Sequence, residues 1–403
     1  MKSIFQKKFD EKRKELKEWL CSIQKGLSLP LYTSIDLRDA GFKISPIDTN
    51  LFAAGFNNLT LSAQKKASDL FKSSILQRFP HTKKIALFCE EYTSNKPYLD
   101  NVSTLKQILE NAGFETFIST WTALPLGKVS LESASKGSIT LHQATTQHHK
   151  VHVEKQIVDI LISNRDFSEG VPPQFENLDQ PIIPPLELGW HKRKKHTHFQ
   201  HYNRLIEECA TILSLDPWFF SAYFARVEDI SFKEDKGLEK IAEKIEEVLK
   251  KIQGKYKEHH IERRPFVFVK NNSGTYGRGI LTFYAADEIF SLNRKQRQEM
   301  FYGKNKQPIT DVLIQEGVPT SKIVRNCIGE PVIYLVHGKV VGGFARIHCN
   351  RTEEENLNIK GMRFEPFDCD SEFLEKDCTF GQVYGILAHL SCIAAALEEK
   401  EYS

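Results

Sequence analysis

Residues 270–280 read KNNSGTYGRGI, a lysine, three glycines and several hydroxyl or amide side chains directly after the strand-like run at 265–269. Such a segment is either a permissive surface turn or a loop whose N–H groups face phosphate oxygens, with the lysine charge aimed at the same place. It is not the P-loop pattern, because its lysine precedes the glycines, and GxGxxG is absent. The next segment is another strand-like run, ILTFYA, and not a helix. A glycine-rich connection between two antiparallel strands can close over a nucleotide as a flap. On that reading Lys270, Ser273, Gly274, Thr275, Tyr276, Gly277 and Gly279 are the candidate phosphate-binding groups.

Further chemistry-bearing residues lie downstream. In VLIQEGVPT (312–320) an apolar run breaks at Gln315 and Glu316 into a Gly/Pro turn, so that Gln315, Glu316 and Val318 can offer polar groups to an adenine edge and a ribose. Glu330, Asn356 and Asn358 form an all-oxygen ligand set suited to Mg2+. Arg346 can stabilise negative charge on a transferred phosphoryl group or a tetrahedral intermediate. For small polar substrates the chain offers Asp36, Arg38, Asp48, Asn50 and Asn57, then Asn164 and Asp166 at a strand end, and Arg193. Arg38 is a fork for a carboxylate, and Asp36 or Asp48 can accept from an ammonium group. Turn and capping roles are the alternative for each Asp and Asn.

These residues need elements to hold them. Helical spacing marks 5–25, 60–79 and 236–253, and from Lys84 the pattern alternates strand, helix, strand, with a further strand in IVDILIS. That alternation predicts an open α/β sheet with ligands at the strands' C-terminal ends. From 265 onward the runs PFVFVK, GILTFY, DVLIQEGV, PVIYLVHG and KVVGGFARIHC predict an antiparallel sheet, with a hairpin turning at His337 and Gly338 and a closing helix over 382–400. The fold class is therefore α/β, an N-terminal open α/β substrate domain over 1–205 followed by a nucleotide-binding domain with an antiparallel sheet over 206–403.

The 403 residues suit two or three packed units, and no apolar run approaches the roughly 18 residues of a membrane helix. A net charge of +3 points to neither nucleic acid nor a membrane surface. One segment is locally basic, GWHKRKKHTHFQHYNRL (189–205), which is either a solvated loop before a helix or a phosphate- or RNA-binding patch. The eight cysteines show no CxxC and no zinc-ligand spacing, so the expectation is reduced thiols. The charged N-terminal stretch lacks an apolar core of the kind a signal peptide carries, which makes the cytoplasm the expected compartment.

The order of Lys270 with its loop, the Gln315–Val318 segment, Glu330, FARI and NLNIKG resembles the ATP-grasp fold of glutathione synthetase-like enzymes. At full length, SIDLRDAGFKISPIDTNLFAAGFNNL, GWHKRKKHTHF, GTYGRGI, QEGVPT, EPVIY, GGFARI and ENLNIKGMRF together resemble the small bacterial class of glutamate-cysteine ligases, also called gamma-glutamylcysteine synthetases. The resemblance implies ATP and Mg2+ as cofactors, glutamate and cysteine as substrates, and joining of the glutamate side-chain carboxylate to the cysteine amine through an acyl phosphate, the first step of glutathione synthesis. Lys270 and Arg346 are then the catalytic pair. Homo-oligomerisation stays open, and no nucleic acid or membrane partner is implied. This chain departs from the family pattern at Asn272, where an acidic residue is more usual, at Arg278, and at Tyr92 and Ser94. The last two leave another carboxylate and amine pair open.

Overall fold

The structure, a computed structural model, describes residues 2–90, 95–274, 279–301, 308–368 and 383–402. The helical spacing over 5–25 resolves into two helices, α1 (Lys2–Glu11) and α2 (Arg13–Gln24), which bury Phe5, Phe9, Leu16 and Leu20. Strands β1 (Tyr32–Asp39) and β2 (Ile44–Asn50) come next as an antiparallel hairpin. Helix α3 (Leu61–Arg78) begins at Thr60, whose hydroxyl accepts from the Ala63 N–H at 3.1 Å and so satisfies one of the free donors of the first turn.

The predicted alternation comes next: β3 (Lys84–Phe88), α4 (Lys96–Asn111), β4 (Glu115–Thr120), β5 (Lys128–Glu132), β6 (Ser138–Gln147), β7 (Lys150–Val153), β8 (Gln156–Ile157), β9 (Ile160–Ser163) and β10 (Ile182–Ile183). Strands β10, β9, β3 and β4 run parallel, and β6 extends them before the sheet turns antiparallel through β7 and β8. Ile85, Leu87, Ile160 and Ile162 are buried, as the covered faces of parallel strands require.

Helix α5 (Lys195–Leu213) leads to β11 (Phe224–Glu228) and α6 (Leu238–Glu258). The latter buries Leu238, Ile241, Ile245, Val248, Ile252 and Tyr256, one stripe at helical spacing, against a four-stranded sheet. That sheet has the order β11-β14-β12-β13, from β12 (Val267–Asn271), β13 (Ile280–Phe283) and β14 (Asp311–Glu316), with the short helix α7 (Arg294–Phe301) between the last two.

The final strands are β15 (Lys322–Val324), β16 (Cys327–Val336), β17 (Lys339–His348) and β18 (Arg363–Phe367), closed by α8 (Val383–Tyr402). β16 and β17 turn through His337 and Gly338, both at positive φ (47° and 74°), the two-residue turn that suits the strands' twist. The third sheet runs β18-β17-β16-β1-β2, so residues on both sides of the boundary expected at 205/206 share it. Neither strand of its N-terminal hairpin is expected from the sequence. No helix among the described residues is long and apolar enough to cross a membrane.

The expectation of eight reduced thiols is corrected at one pair. Cys327 and Cys349 form a disulfide, with Cα atoms 4.4 Å apart. The register that pairs Ile328 with His348 brings Cys327, the first residue of β16, opposite Cys349, the residue after β17, at the separation of a cross-strand pair. Cys21, Cys209 and Cys392 are thiols, and Cys369 and Cys378 lie outside the described residues.

Candidate active site

Between the β1–β2 hairpin, the β12–β13 hairpin, the β16–β17 pair and the loop after β17 lies a small, partly open cavity. Three acidic groups (Asp36, Asp48, Glu330) and three basic ones (Lys195, Lys270, Arg346) line it, together with Ile47, Asn271, Gly274, Ile280, Asn356 and Asn358. Eight of the residues expected at a site therefore converge: Asp36, Asp48, Lys270, Gly274, Glu330, Arg346, Asn356 and Asn358. Strand β12 pairs antiparallel with β13, Lys270 opposite Ile280, so the glycine-rich segment is a hairpin connection. Thr275, Tyr276, Gly277 and Arg278 lie outside the described residues, as do Tyr92 and Ser94.

The charges are arranged in pairs. Arg346 NH1 donates to Asp36 Oδ2 at 2.8 Å and to Glu330 Oε1 at 2.6 Å. Burial alone would lower the Arg346 guanidinium, but the Asp36 and Glu330 carboxylates raise it, so it stays charged. Burial is also the largest influence on Asp36 and raises it, against the Arg346 charge and with the Glu330 charge. Lys195 Nζ is paired with Asp48. Burial acts first to raise Asp48, but the charges of Lys195 and then Lys270 hold it down at about 2. Lys270 Nζ donates to the Ile47 carbonyl at 2.7 Å, and burial followed by the Lys195 charge pulls its ammonium down to about 7.

Other expected site residues are engaged elsewhere. Arg38 is 1% exposed and lies behind Glu330, with its donors on Glu330 Oε2 (3.0 Å) and on the carbonyls of Val318 (3.1 Å), Glu353 (3.4 Å) and Glu355 (2.5 Å). The expected fork for a substrate carboxylate is thus occupied by protein acceptors. Arg193 is likewise buried, its Nε and NH2 on Glu398 (2.8 and 3.0 Å) and its NH1 on the Thr49 carbonyl (2.7 Å). With Lys195 also buried, the 189–205 segment does not present these two cations as a basic surface. Asn50 caps the Phe52 N–H, Asn57 bonds its neighbour Asn58, and Asn164 joins Asn101, Tyr32 and the Ala53 carbonyl in a buried network. Asp166 accepts from the Ser168 N–H in a local turn. The Ser273 hydroxyl accepts from Lys194 Nζ at 2.7 Å, and the Gly279 carbonyl accepts from Asn271 N at 3.1 Å.

The segment expected to meet adenine is built differently from a free linker. The Glu316 carboxylate accepts from Lys43 Nζ (2.6 Å), Trp218 Nε1 (3.0 Å) and Tyr223 N (2.9 Å), and the Val318 carbonyl is taken by Arg38. The backbone N–H groups of Glu316 and Gly317 are bonded to the Tyr223 and Phe266 carbonyls. Gln315 differs, because its buried Nε2 has no hydrogen-bond partner among the described residues. Its cross-strand partner Phe268 lies two residues from Lys270, so Gln315 and Lys270 share one face of the sheet.

A divalent cation with a polyphosphate fits this donor set. Asp36, Glu330, Asn356 and Asn358 supply carboxylate and amide oxygens around one cavity, the ligand class of Mg2+. Arg346 Nε is a second buried donor with no partner among the described residues, as a site for an anion needs.

A model of the glutamate-cysteine ligase family matches residues 6–399. The chain belongs to that family. A solved structure from Methylobacillus flagellatus, assigned by name as a gamma-glutamylcysteine synthetase, superposes with a TM-score of 0.90 at 34% identity, covering 99% of this chain and 96% of that one. D-alanyl-alanine synthetase A from Vibrio cholerae gives a TM-score of 0.31 at 10% identity over 70% of this chain and 74% of that one, a likeness that supports no conclusion. No curated protein matches the chain.

Reading from sequence missed two lysines of this ligase. Lys195, the second cation of the cavity, stands in the basic segment 189–205, from which only Arg193 is expected at a site. Lys43 sits in the N-terminal motif and is buried against Glu316 and the Trp218 ring, 4.2 Å from its centroid. Nothing local in the sequence distinguishes either from a surface lysine.

Proposed function

We propose that the ligase joins the side-chain carboxylate of glutamate to the amine of cysteine, using ATP and passing through an acyl phosphate. The carrying observation is the convergence of Lys270, Lys195 and Arg346 with Asp36, Glu330, Asn356 and Asn358 on one cavity, in a chain of the glutamate-cysteine ligase family. A carboxylate resists attack by an amine until one of its oxygens becomes a leaving group. Transfer of the terminal phosphoryl group of ATP to that oxygen does this, and the neutral amine then displaces phosphate.

Each side chain has a part in this scheme. Lys270 and the backbone of Ser273 and Gly274 face the phosphates, and Arg346, whose Nε has no partner among the described residues, takes the charge that builds on the transferred group. Asp36, Glu330, Asn356 and Asn358 are the residues that would hold Mg2+, which when bound neutralises phosphate charge. Gln315 offers its buried amide to the nucleotide base from the face that carries Lys270. Lys195 and Asp48, paired in the free protein, are a cation and an anion for which an amino acid's carboxylate and ammonium can substitute. Exclusion of water from the cavity protects the acyl phosphate from hydrolysis.

The test is ADP release with Mg-ATP, measured with each amino acid alone and with pairs. Release that depends on glutamate and cysteine together supports the proposal. Release with another carboxylate and amine pair transfers the mechanism to different substrates, and no release with any pair overturns it.

A further inference from the structure

We propose that Arg38 is a positioning residue that fixes the metal-binding loop and one oxygen of Glu330, and does not bind substrate. The inference rests on the reading of Glu330, Asn356 and Asn358 as the residues that hold the cation.

One guanidinium joins three segments behind the cavity, which Thr320 also ties together, its N–H on the Glu353 carbonyl at 2.9 Å and its hydroxyl on the Gly329 carbonyl at 2.6 Å. Its Nε holds Glu330 Oε2, NH1 reaches the Val318 carbonyl at the end of the β14 segment, and NH1 and NH2 hold the carbonyls of Glu353 and Glu355. The two loop carbonyls lie three residues and one residue before Asn356, whose Oδ1 accepts from the Asn358 N–H at 2.9 Å. Holding residues 353 and 355 from inside the protein therefore sets where both asparagines stand. The outer side of the loop is tied separately, Glu353 to Arg263 and Glu354 to the Tyr284 hydroxyl. The Phe268 ring, 5.2 Å from the guanidinium carbon, supports its plane.

Glu330 is divided by the same contact. Oε2 is committed to Arg38, so Oε1, shared with Arg346, is the oxygen turned to the cavity. A lysine at 38 keeps the charge beside Glu330 but has no planar fork with which to reach the separate carbonyls.

Arg38→Ala and Arg38→Lys are compared with the unaltered chain for Mn2+ binding by titration calorimetry in the presence of adenylyl imidodiphosphate, for backbone hydrogen exchange over 351–360, and for the KM of glutamate. The expected result is Mn2+ affinity weaker by about 10–100-fold in Arg38→Ala, the range for residues that orient ligands, with Arg38→Lys between the two. Exchange over 351–360 should accelerate in both variants while β3 and β4 are unchanged, and the KM of glutamate should stay within about two-fold, since no uniform binding is lost. If Arg38→Ala does not fold, Arg38→Lys decides the matter. Unchanged Mn2+ affinity and loop exchange in a folded Arg38→Lys protein overturn the proposal, as does a loss confined to glutamate. Absence of ADP release by the unaltered chain with glutamate and cysteine would defeat the ligase proposal instead, and leaves the Mn2+ and exchange measurements readable.

Discussion

Asp36 on β1 and Arg346 on β17 are joined by a 2.8 Å hydrogen bond across 310 residues of sequence. The N-terminal hairpin is thus part of the sheet that carries the candidate site, and one guanidinium nitrogen is shared between two carboxylates, Asp36 and Glu330. Such sharing suits a group that must later turn to a phosphate. Each carboxylate retains the other as neighbour, which is an arrangement favourable to a cation.

Glu330→Gln and Asp36→Asn should separate stability from metal binding. Glu330 neutralises two buried arginines at once, so its loss leaves charge uncompensated and should cost about 3–5 kcal/mol. Asp36→Asn removes only one of two acceptors from Arg346 and relieves the burial of charge, and after it the Glu330 repulsion, that raise Asp36, so it should cost less than about 1 kcal/mol. Both should raise the Mg2+ concentration needed for ADP release. Urea melts and Mg2+ titrations check the two effects, and an unchanged titration removes the residue from the metal set.

Lys270 predicts a pH dependence of ATP binding. Its ammonium is at about 7 in the free protein, from burial first and the Lys195 charge second. Phosphate oxygens favour the charged form, so at higher pH binding must be accompanied by proton uptake, and affinity should fall as pH rises from about 7 to 9, approaching ten-fold per unit. Calorimetry in buffers of different ionisation enthalpy measures that proton. Stability takes the opposite course. The unfolded lysine titrates near its ordinary value of 10.5, so between the two values the unfolded chain binds more protons and stability rises with pH. Lys270→Met should therefore raise the melting temperature most at acidic pH, remove the pH slope of ATP binding, and lower kcat by about 100-fold or more.

The repeating patterns were legible, and the buried charges were not. The apolar stripe of α6, the β3–α4–β4 alternation and the turn at His337 and Gly338 each declare themselves within about ten to twenty residues, because periodicity and turn chemistry are local. Strand β1 hides its nature because Arg38 and Asp39 are buried with partners far along the chain; Arg38 meets Glu330 292 residues later. Lys195 meets Asp48 147 residues away, and without that partner it reads as one more solvated lysine. Cys327 and Cys349 are 22 residues apart and become neighbours only through the register of a hairpin.

The Lys43 and Glu316 pair should behave as a buried lock between the β1–β2 turn and the end of β14. Burial pulls the Lys43 ammonium down to about 8, and the Glu316 charge is what keeps it from falling further. Lys43→Met leaves a buried carboxylate with only the Trp218 and Tyr223 donors and should cost about 3–5 kcal/mol. Lys43→Met with Glu316→Gln should recover a large part of that loss, because no charge remains to be compensated. Urea unfolding of the single and double variants measures the coupling, and a double variant no more stable than Lys43→Met would show that the pair is not the source of the cost.

Asn272 stands where the resemblance leads to the expectation of an acid. It is fully buried at the base of the glycine-rich hairpin, where its Nδ2 donates to both oxygens of Asp311 (3.0 and 2.9 Å) and its Oδ1 accepts from the His196 N–H at 3.0 Å. Its backbone carbonyl accepts from the Lys195 N–H at 2.8 Å, which ties the start of α5 to the hairpin. An acid at 272 would face the Asp311 carboxylate with no proton to donate. Asn272→Asp should therefore loosen the hairpin base and raise the KM of ATP by about ten-fold, equivalent to the loss of one good hydrogen bond. Adding Asp311→Asn exchanges acid and amide, restores a donor between the two positions and leaves an acceptor for the His196 N–H. Arg226, which also binds Asp311, keeps Glu228 at 2.6 Å. The double variant should thus return the KM of ATP to within about three-fold of the unaltered value, since the hydrogen bond between the two positions is restored. A double variant as impaired as Asn272→Asp would mean that the amide and carboxylate pairing does not hold the hairpin.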